Sequence, residues 1–423
     1  MNNHPLYQIT HLHLDKQLAQ PALDLSQQGH YVVFWWKEIA LGHLFLDPGS
    51  TLTTELYYTK LVEAITPAIE HYTKGNATAT TAWPQWLQQQ NEQAWRDWMH
   101  QVFQSWLPDK LPDSVPVSVI ICTRNRPVQL ESCLHMLTNL SCKPAEIIVV
   151  DNFSTGTTTK DVVEKFNGVI YVRESHLGLD IARNTGIIYT KSPVVAYVDD
   201  DVTVHPQWLY RVWETFQDPA VAAMTGLVIA AELDTEAQYI FETQWSFNRG
   251  YVDVIYDKAF FDATLRKGPP VWRIGAGANM AFRRDVFEEV GFFNELLDVG
   301  AAGCNGDSEM WYRILAKGHT IKYNPRAIVY HEHRREMQGL KKQIFYYMRG
   351  FTTAALMQQQ QHRQAGYARH IFRKLPKHYA RMLKAGFPGY DYRYKTLSVE
   401  IKGILSGLAY YFINRKHPSN VKR

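Results

Sequence analysis

The sequence predicts an α/β protein built on a mostly parallel sheet with helices on both faces. Three observations carry that prediction. From Val117 onward strand-like and helix-like segments alternate. The strand segments are unbroken β-branched runs, as strands covered on both faces require, and several of them end abruptly in polar residues. This body spans residues 115–333; an α+β module over residues 1–114 precedes it and a basic helical extension over residues 334–423 follows.

In the leading module, residues 30–36 and 39–46 are two β-rich segments around Lys37 and Glu38, which predicts a hairpin. Residues 56–72 and 86–106 carry large apolar side chains at helical spacing, and residues 75–80 form a loop between them. Trp86, Trp95, Trp98 and Trp106 suit core packing, with a carbohydrate-stacking platform as the alternative. Pro108, Pro112 and Pro116 punctuate the passage into the body.

In the body, strands are expected over 117–122, 146–150, 169–172 and 193–198, with helices over 127–140 and 180–190. Gly275 and Gly277 fit either a strand whose backbone approaches a ligand or a bulge, and a helix over 306–317 is stopped by Gly318. Sheets of this kind bind ligands beyond the carboxyl ends of their strands. Thr123, Arg124, Asn125 and Arg126 follow the first strand, Asp151 and Asn152 the second, and Asp199, Asp200 and Asp201 a later one, so donors, acceptors and anions converge on one rim. A buried strand running into three carboxylates must pair that charge or bind a cation, because adjacent anions repel and resist desolvation. Singly, each residue has a plainer alternative. Asp151 suits an N-cap or loop anchor, Arg183 a surface ion pair, Asp307 a helix cap, and Glu309 an i,i+4 partner for Arg313.

With 423 residues, 46% of them hydrophobic, the chain supports one large core with accessory layers or two to three domains, and disorder is not the default. Its charge is uneven: residues 334–423 hold 19 Lys/Arg against 3 Asp/Glu, a formal +16, which leaves the rest at −12 for a total of +4. Cys122, Cys133, Cys142 and Cys304 lack zinc-ribbon spacing and read as reduced thiols of a cytoplasmic protein. Residues 1–5 have neither a basic start nor an apolar run, so no secretory signal is expected. The late apolar stretch over 403–413 falls short of the roughly 20 residues a membrane span needs, so any membrane association is expected to be peripheral.

In the extension, Leu340, Ile344, Met348, Phe351 and Ala355 share one helical face, suited to packing on the body or to membrane contact. Ile401, Ile404, Leu405, Leu408, Tyr411 and Phe412, flanked by Lys402, Arg415 and Lys416, suit a helix lying on an anionic bilayer.

Taken in order, residues 118–127 (SVIICTRNRP), 146–152 (EIIVVDN), 178–186 (GLDIARNTG) and 198–201 (VDDD) resemble the signature of family 2 glycosyltransferases with a GT-A fold. The likeness continues through 275–284 (GAGANMAFRR), 306–309 (GDSE) and 329–331 (VYH), covering roughly residues 116–333. It implies a nucleotide-sugar donor held at base and ribose by Thr123, Asp151 and Arg183, with Asn125, Arg126 and Asp200 in the same donor set. Asp199 and Asp201 would hold the ribose and a divalent metal, Mg²⁺ or Mn²⁺, and His331 matches a position that supplies a further metal ligand in many GT-A enzymes. Asp307 would be the general base of an inverting transfer to a hydroxyl on a glycan, a carrier lipid or another acceptor, as in polysaccharide biosynthesis. Asn279, Glu309 and Trp311 are the implied sugar or acceptor contacts.

The chain departs from that pattern at Gly306, where members commonly carry Glu. The Gly-rich approach over 300–306 suggests a mobile loop that orders when donor or acceptor binds. No Gln-x-x-Arg-Trp motif follows the base region, which disfavours a processive synthase and favours transfer of one or a few sugars. An inactive nucleotide-sugar or membrane-binding module is the alternative, with Gly306 its best support. Nucleic-acid binding is suggested only by the basic extension and opposed by the acidic body.

Overall fold

The computed structural model describes residues 6–75 and 79–416, so residues 1–5 and part of the loop expected over 75–80 lie outside the described residues. Twelve strands are described: β1 (Tyr7–His13), β2 (Gly29–Trp36), β3 (Ile39–Leu46), β4 (Ser114–Thr123), β5 (Lys143–Asn152), β6 (Val169–Glu174), β7 (Val194–Val198), β8 (Val202–Val204), β9 (Val221–Ala230), β10 (Val254–Tyr256), β11 (Asn279–Arg283) and β12 (Thr320–His331).

The central sheet runs β10-β12-β9-β11-β7-β4-β5-β6, with β8 against β12. β7, β4, β5 and β6 are parallel, β11 is antiparallel to both neighbours, and β12 returns parallel to β9. The unbroken apolar runs are explained by burial on both faces: along β4, Val119 and Ile121 join one core while Ile120 joins the other. Register then aligns the functional edge. Thr123 pairs with Asp151, β11 starts opposite the last residue of β7, and His331 pairs with Val202 just past the three aspartates.

The expected hairpin is β2-β3, turned at Lys37 with φ 50°, and β1, which the sequence reading did not anticipate, lies parallel to β2. The single helix expected over 86–106 is two, Trp83–Gln88 and Glu92–Phe103. The break falls where Gln90 adopts φ 54° and the Asn91 side chain caps the second helix by accepting from the Ala94 N–H. Trp95 and Trp98 are buried, as the packing alternative requires, and the same hydrophobic cluster takes in Leu227 and Ile229 of β9 and Tyr323 and Ile328 of β12.

In the extension, helix Met337–Gln361 buries Leu340, Ile344, Met348 and Ala355. Helix Leu397–Asn414 lies across it at a distance only glycine permits: a Cβ at Gly403 or Gly407 would stand 2.5 Å from the carbonyl oxygens of Phe345 and Arg349. Among the described residues no helix is long and apolar enough to cross a membrane.

Candidate active site

A cleft of about 1080 Å³ opens at the carboxyl ends of β4 and β7, and Thr123, Arg183, Asp199, Asp201, Asp307 and His331 all line it. Five elements bring them together: β4 and β7 deliver Thr123 and the aspartates, helix Leu179–Ile188 carries Arg183, β12 delivers His331 at its last residue, and helix Gly306–Ala316 carries Asp307 in its first turn.

Asp199, Asp201 and His331 each offer a ligand atom within 4.8 Å of the others. The donor set suits a divalent cation, two hard carboxylate oxygens and one imidazole. Burial lowers the His331 pKa to about 4, so the ring is neutral and keeps a lone pair. Its Nδ1 lies 3.1 Å from His333 Nδ1, and His333 Nε2 lies 2.9 Å from Glu242. If His333 donates to Glu242, His331 donates to His333, which leaves His331 Nε2 as the free acceptor, the arrangement that commonly orients a metal-binding histidine. Burial and Asp201 push Asp199 up to about 7. Burial acts on Asp201 too, yet His331 and Arg126 hold it below the usual carboxylate range. Arg126 Nη2 donates to Asp201 at 2.9 Å and its Nη1 donates to Asp200, which also accepts from the Thr123 hydroxyl at 2.7 Å.

A second charged group surrounds Asp307. Arg183 Nη1 donates to Asp180 at 2.9 Å and to Asp298 at 2.7 Å, and all three side chains are buried. Its other nitrogen and Asp307 Oδ2 both stand against Gly277, where a Cβ would lie 3.0 and 3.1 Å from them. Asp307 Oδ1 accepts from the Ser308 N–H at 2.6 Å, while burial and Asp298 raise its pKa above the ordinary carboxylate value. Gly306 abuts Asp180: a Cβ there would stand 2.5 Å from Asp180 Oδ1 and 2.6 Å from its Cγ.

Several expected site residues lie elsewhere. Asn279 is buried in the sheet, accepting from Trp208 and donating to the carbonyls of Leu227 and Ala327. Glu309 is fully buried and bonded to Arg313 Nε at 2.9 Å, the ion pair that the i,i+4 spacing offered. Trp311 is fully buried in the core. None of the three lines the cleft. Asp151 is buried and accepts from the Tyr171 hydroxyl at 2.7 Å, and Asn125 accepts from the Thr155 N–H at 2.9 Å, so both brace the rim. Gly275 and Gly277 belong to a turn-containing loop before β11, not to a strand; a Cβ at Gly275 would strike Thr225.

The loop expected to be mobile is held from two sides. Val299 accepts from the Leu179 N–H at 2.9 Å, Gly303 packs on the Tyr346 ring, and the backbone of Cys304 leaves no room for a Cβ at Gly350. Asp180, Asp298, Glu242 and His333 were not singled out from sequence as site residues. Only Asp180 and His333 had a signal, Asp180 inside the 178–186 motif with Arg183 and His333 two residues past His331; Asp298 reaches Arg183 across 115 positions of chain.

Residues 118–291 match the profile of glycosyl transferase family 2. Glycosyltransferase AglE of Haloferax volcanii is 28% identical over 235 residues, 54% of this chain and 70% of that protein. The succinoglycan biosynthesis protein ExoM of Rhizobium meliloti is 27% identical over 249 residues, 55% of this chain and 73% of that protein. The pre-mycofactocin glycosyltransferase of Mycobacterium tuberculosis is 25% identical over 242 residues; the match takes in 56% of this chain and 47% of that protein, so the chain spans about half its length. Among solved structures, the mannosyltransferase PcManGT of Pyrobaculum calidifontis, in complex with GDP-Man and Mn²⁺, aligns at 17% identity and a TM-score of 0.39 over 76% of this chain and 83% of that one.

Proposed function

The chain belongs to glycosyltransferase family 2, and from that premise we propose that it moves a sugar from a nucleotide-sugar donor to an acceptor hydroxyl by one displacement with inversion at the anomeric carbon. One observation carries the reading: Asp307 lines the same cleft as Asp199, Asp201 and His331. In this step Asp307 takes the acceptor's proton as the acceptor oxygen bonds to the anomeric carbon and the bond to the nucleoside diphosphate breaks. A carboxylate with a raised pKa is the better proton acceptor, and the Ser308 N–H bond at 2.6 Å keeps it aimed. Arg183, fixed by Asp180 and Asp298, places positive charge beside the base.

Asp199, Asp201 and His331 would hold a divalent cation, Mg²⁺ or Mn²⁺, which when bound offsets charge on the departing diphosphate. Thr123, Asp200 and Arg126 form the donor-side wall. The same reading extends to place: a cytoplasmic enzyme, peripheral on an anionic membrane face through its basic extension.

Purified protein screened against nucleotide sugars with and without Mn²⁺, reading released nucleotide, tests the reaction. Asp307→Asn should abolish release while donor binding by calorimetry stays within about threefold; full turnover in that variant removes Asp307 from the mechanism. Donor binding without release under any condition supports the inactive-module alternative.

A further inference from the structure

Beyond the transfer reaction, on which it rests only for the identity of the acceptor, we infer that the segment 372–387 is the bilayer-docking face and that it seats the cleft mouth against an anionic phospholipid surface to reach a lipid-borne acceptor. Helix Leu375–Gly386 turns Leu375, Tyr379, Met382 and Gly386 toward the protein and leaves the rest exposed. Tyr379 donates to Glu400 at 3.2 Å and Met382 meets Arg393, so this inner face is anchored.

Outside it runs an apolar stripe. Phe372, Pro376, Leu383 and Phe387 are all exposed, Phe387 by 75%; Pro376 and Leu383 lie within about 20° of one another around the helix, and Phe372 and Phe387 flank its two ends. Arg373, Lys377, Arg381 and Lys384, also exposed, form the adjoining stripe. No acidic residue occurs between positions 337 and 390. Apolar side chains beside a row of cations match an interfacial helix on anionic lipid. Helix Leu397–Asn414 repeats the pattern: Ile401, Leu405, Phe412 and Ile413 are exposed while Gly403 and Gly407 face inward.

The position of this face fits a lipid-borne acceptor. His370 and Leu375, immediately beside Phe372, line the same cleft as Asp201 and Asp307, and Trp272 and Phe351 give that end an aromatic wall with ring centroids 5.0 Å apart. A hydroxyl presented from the lipid surface would enter past an apolar lip and reach the base.

Flotation of the full chain with vesicles of phosphatidylcholine alone, and with roughly a third phosphatidylglycerol, tests this at low and high salt. Binding to the anionic vesicles is expected, at least about tenfold weaker on neutral vesicles or at high salt. The triple variant Phe372→Glu, Leu383→Glu, Phe387→Glu should lose at least about tenfold in partition with an unchanged melting temperature and unchanged lipid-free nucleotide release, since these side chains cover no core. Asp307→Asn should still bind vesicles, which separates docking from turnover. Equal partition on neutral and anionic vesicles, or wild-type binding by the triple variant, overturns the inference. So does self-association that the triple variant abolishes while vesicles never bind, which would assign the face to a second copy of the chain.

Discussion

Gly306→Ala probes the contact that sets the base in place. The added Cβ would clash most closely with Asp180 Oδ2 and stand 2.5 Å from Oδ1, where ordinary contact begins at 3.4 Å, so the carboxyl must retreat by at least about 0.9 Å. It has no free path, because Arg183 Nη1 holds it at 2.9 Å and is itself held by Asp298 at 2.7 Å. Overpacking costs about 1–3 kcal/mol, and weakening a hydrogen bond between charged groups adds about 1.5–3 kcal/mol. With partial relaxation the total is roughly 2–5 kcal/mol, and for a chain of this length each kcal/mol moves the melting temperature by about 1 °C. Scanning calorimetry should therefore show a drop of about 2–5 °C, and turnover should fall because Asp307 is the next residue. Asp180→Ala combined with Gly306→Ala frees the space, so the double variant should lose about 1–3 kcal/mol less than the two singles summed. A Gly306→Ala protein that melts and turns over like wild type, or costs that simply add, would refute the claim that Asp180 dictates glycine there.

The remaining expectations follow from the same neighbourhood. Asp307 must be ionised to accept a proton and its pKa is raised by burial and Asp298, so kcat should climb with pH through a value above the ordinary carboxylate range; Asp298→Asn should shift that limb to lower pH in a stopped-time assay. A carboxylate whose folded pKa is raised gives stability that is full below the unfolded value and lost as pH rises, so Asp307→Asn should melt no lower than wild type at pH 8 or so, by calorimetry. Glu242→Gln should weaken Mn²⁺ binding about 10- to 100-fold by isothermal titration, because His333 loses its charged acceptor and His331 its fixed orientation. Chelation should lower the melting temperature of Mn²⁺-loaded protein and leave an Asp201→Asn, His331→Ala double variant unmoved.

What could be read in advance divides along a physical line. Strand runs such as Val119, Ile120 and Ile121 declare burial on both faces, and polar residues at their ends declare the rim, so the parallel block and the aspartates were legible from local pattern. Side-chain direction was not. Asn279 shares a motif with Gly277, yet at the first position of β11 it turns into the sheet toward Trp208, and Glu309 and Trp311 share a helix with Asp307 but sit on its buried side. Asp298 escaped because its meaning lies in Arg183, brought near only by the tertiary path of the loop. The break at Gln90 was hidden by unbroken Trp spacing, which helices on either side of a tight turn satisfy equally well.

The hydrophobic cluster that Trp36 and Trp95 share with β9 and β12 ties the leading module to the sheet that carries the cleft. A protein expressed from residue 115 would carry Leu227, Ile229, Tyr323 and Ile328 as a bare greasy strip on β9 and β12, the latter ending at His331 in the cleft. Proteolysis between residues 107 and 113 should accordingly yield fragments that co-elute and melt in one transition, the leading piece acting as a permanent lining of the sheet more than as an appended unit.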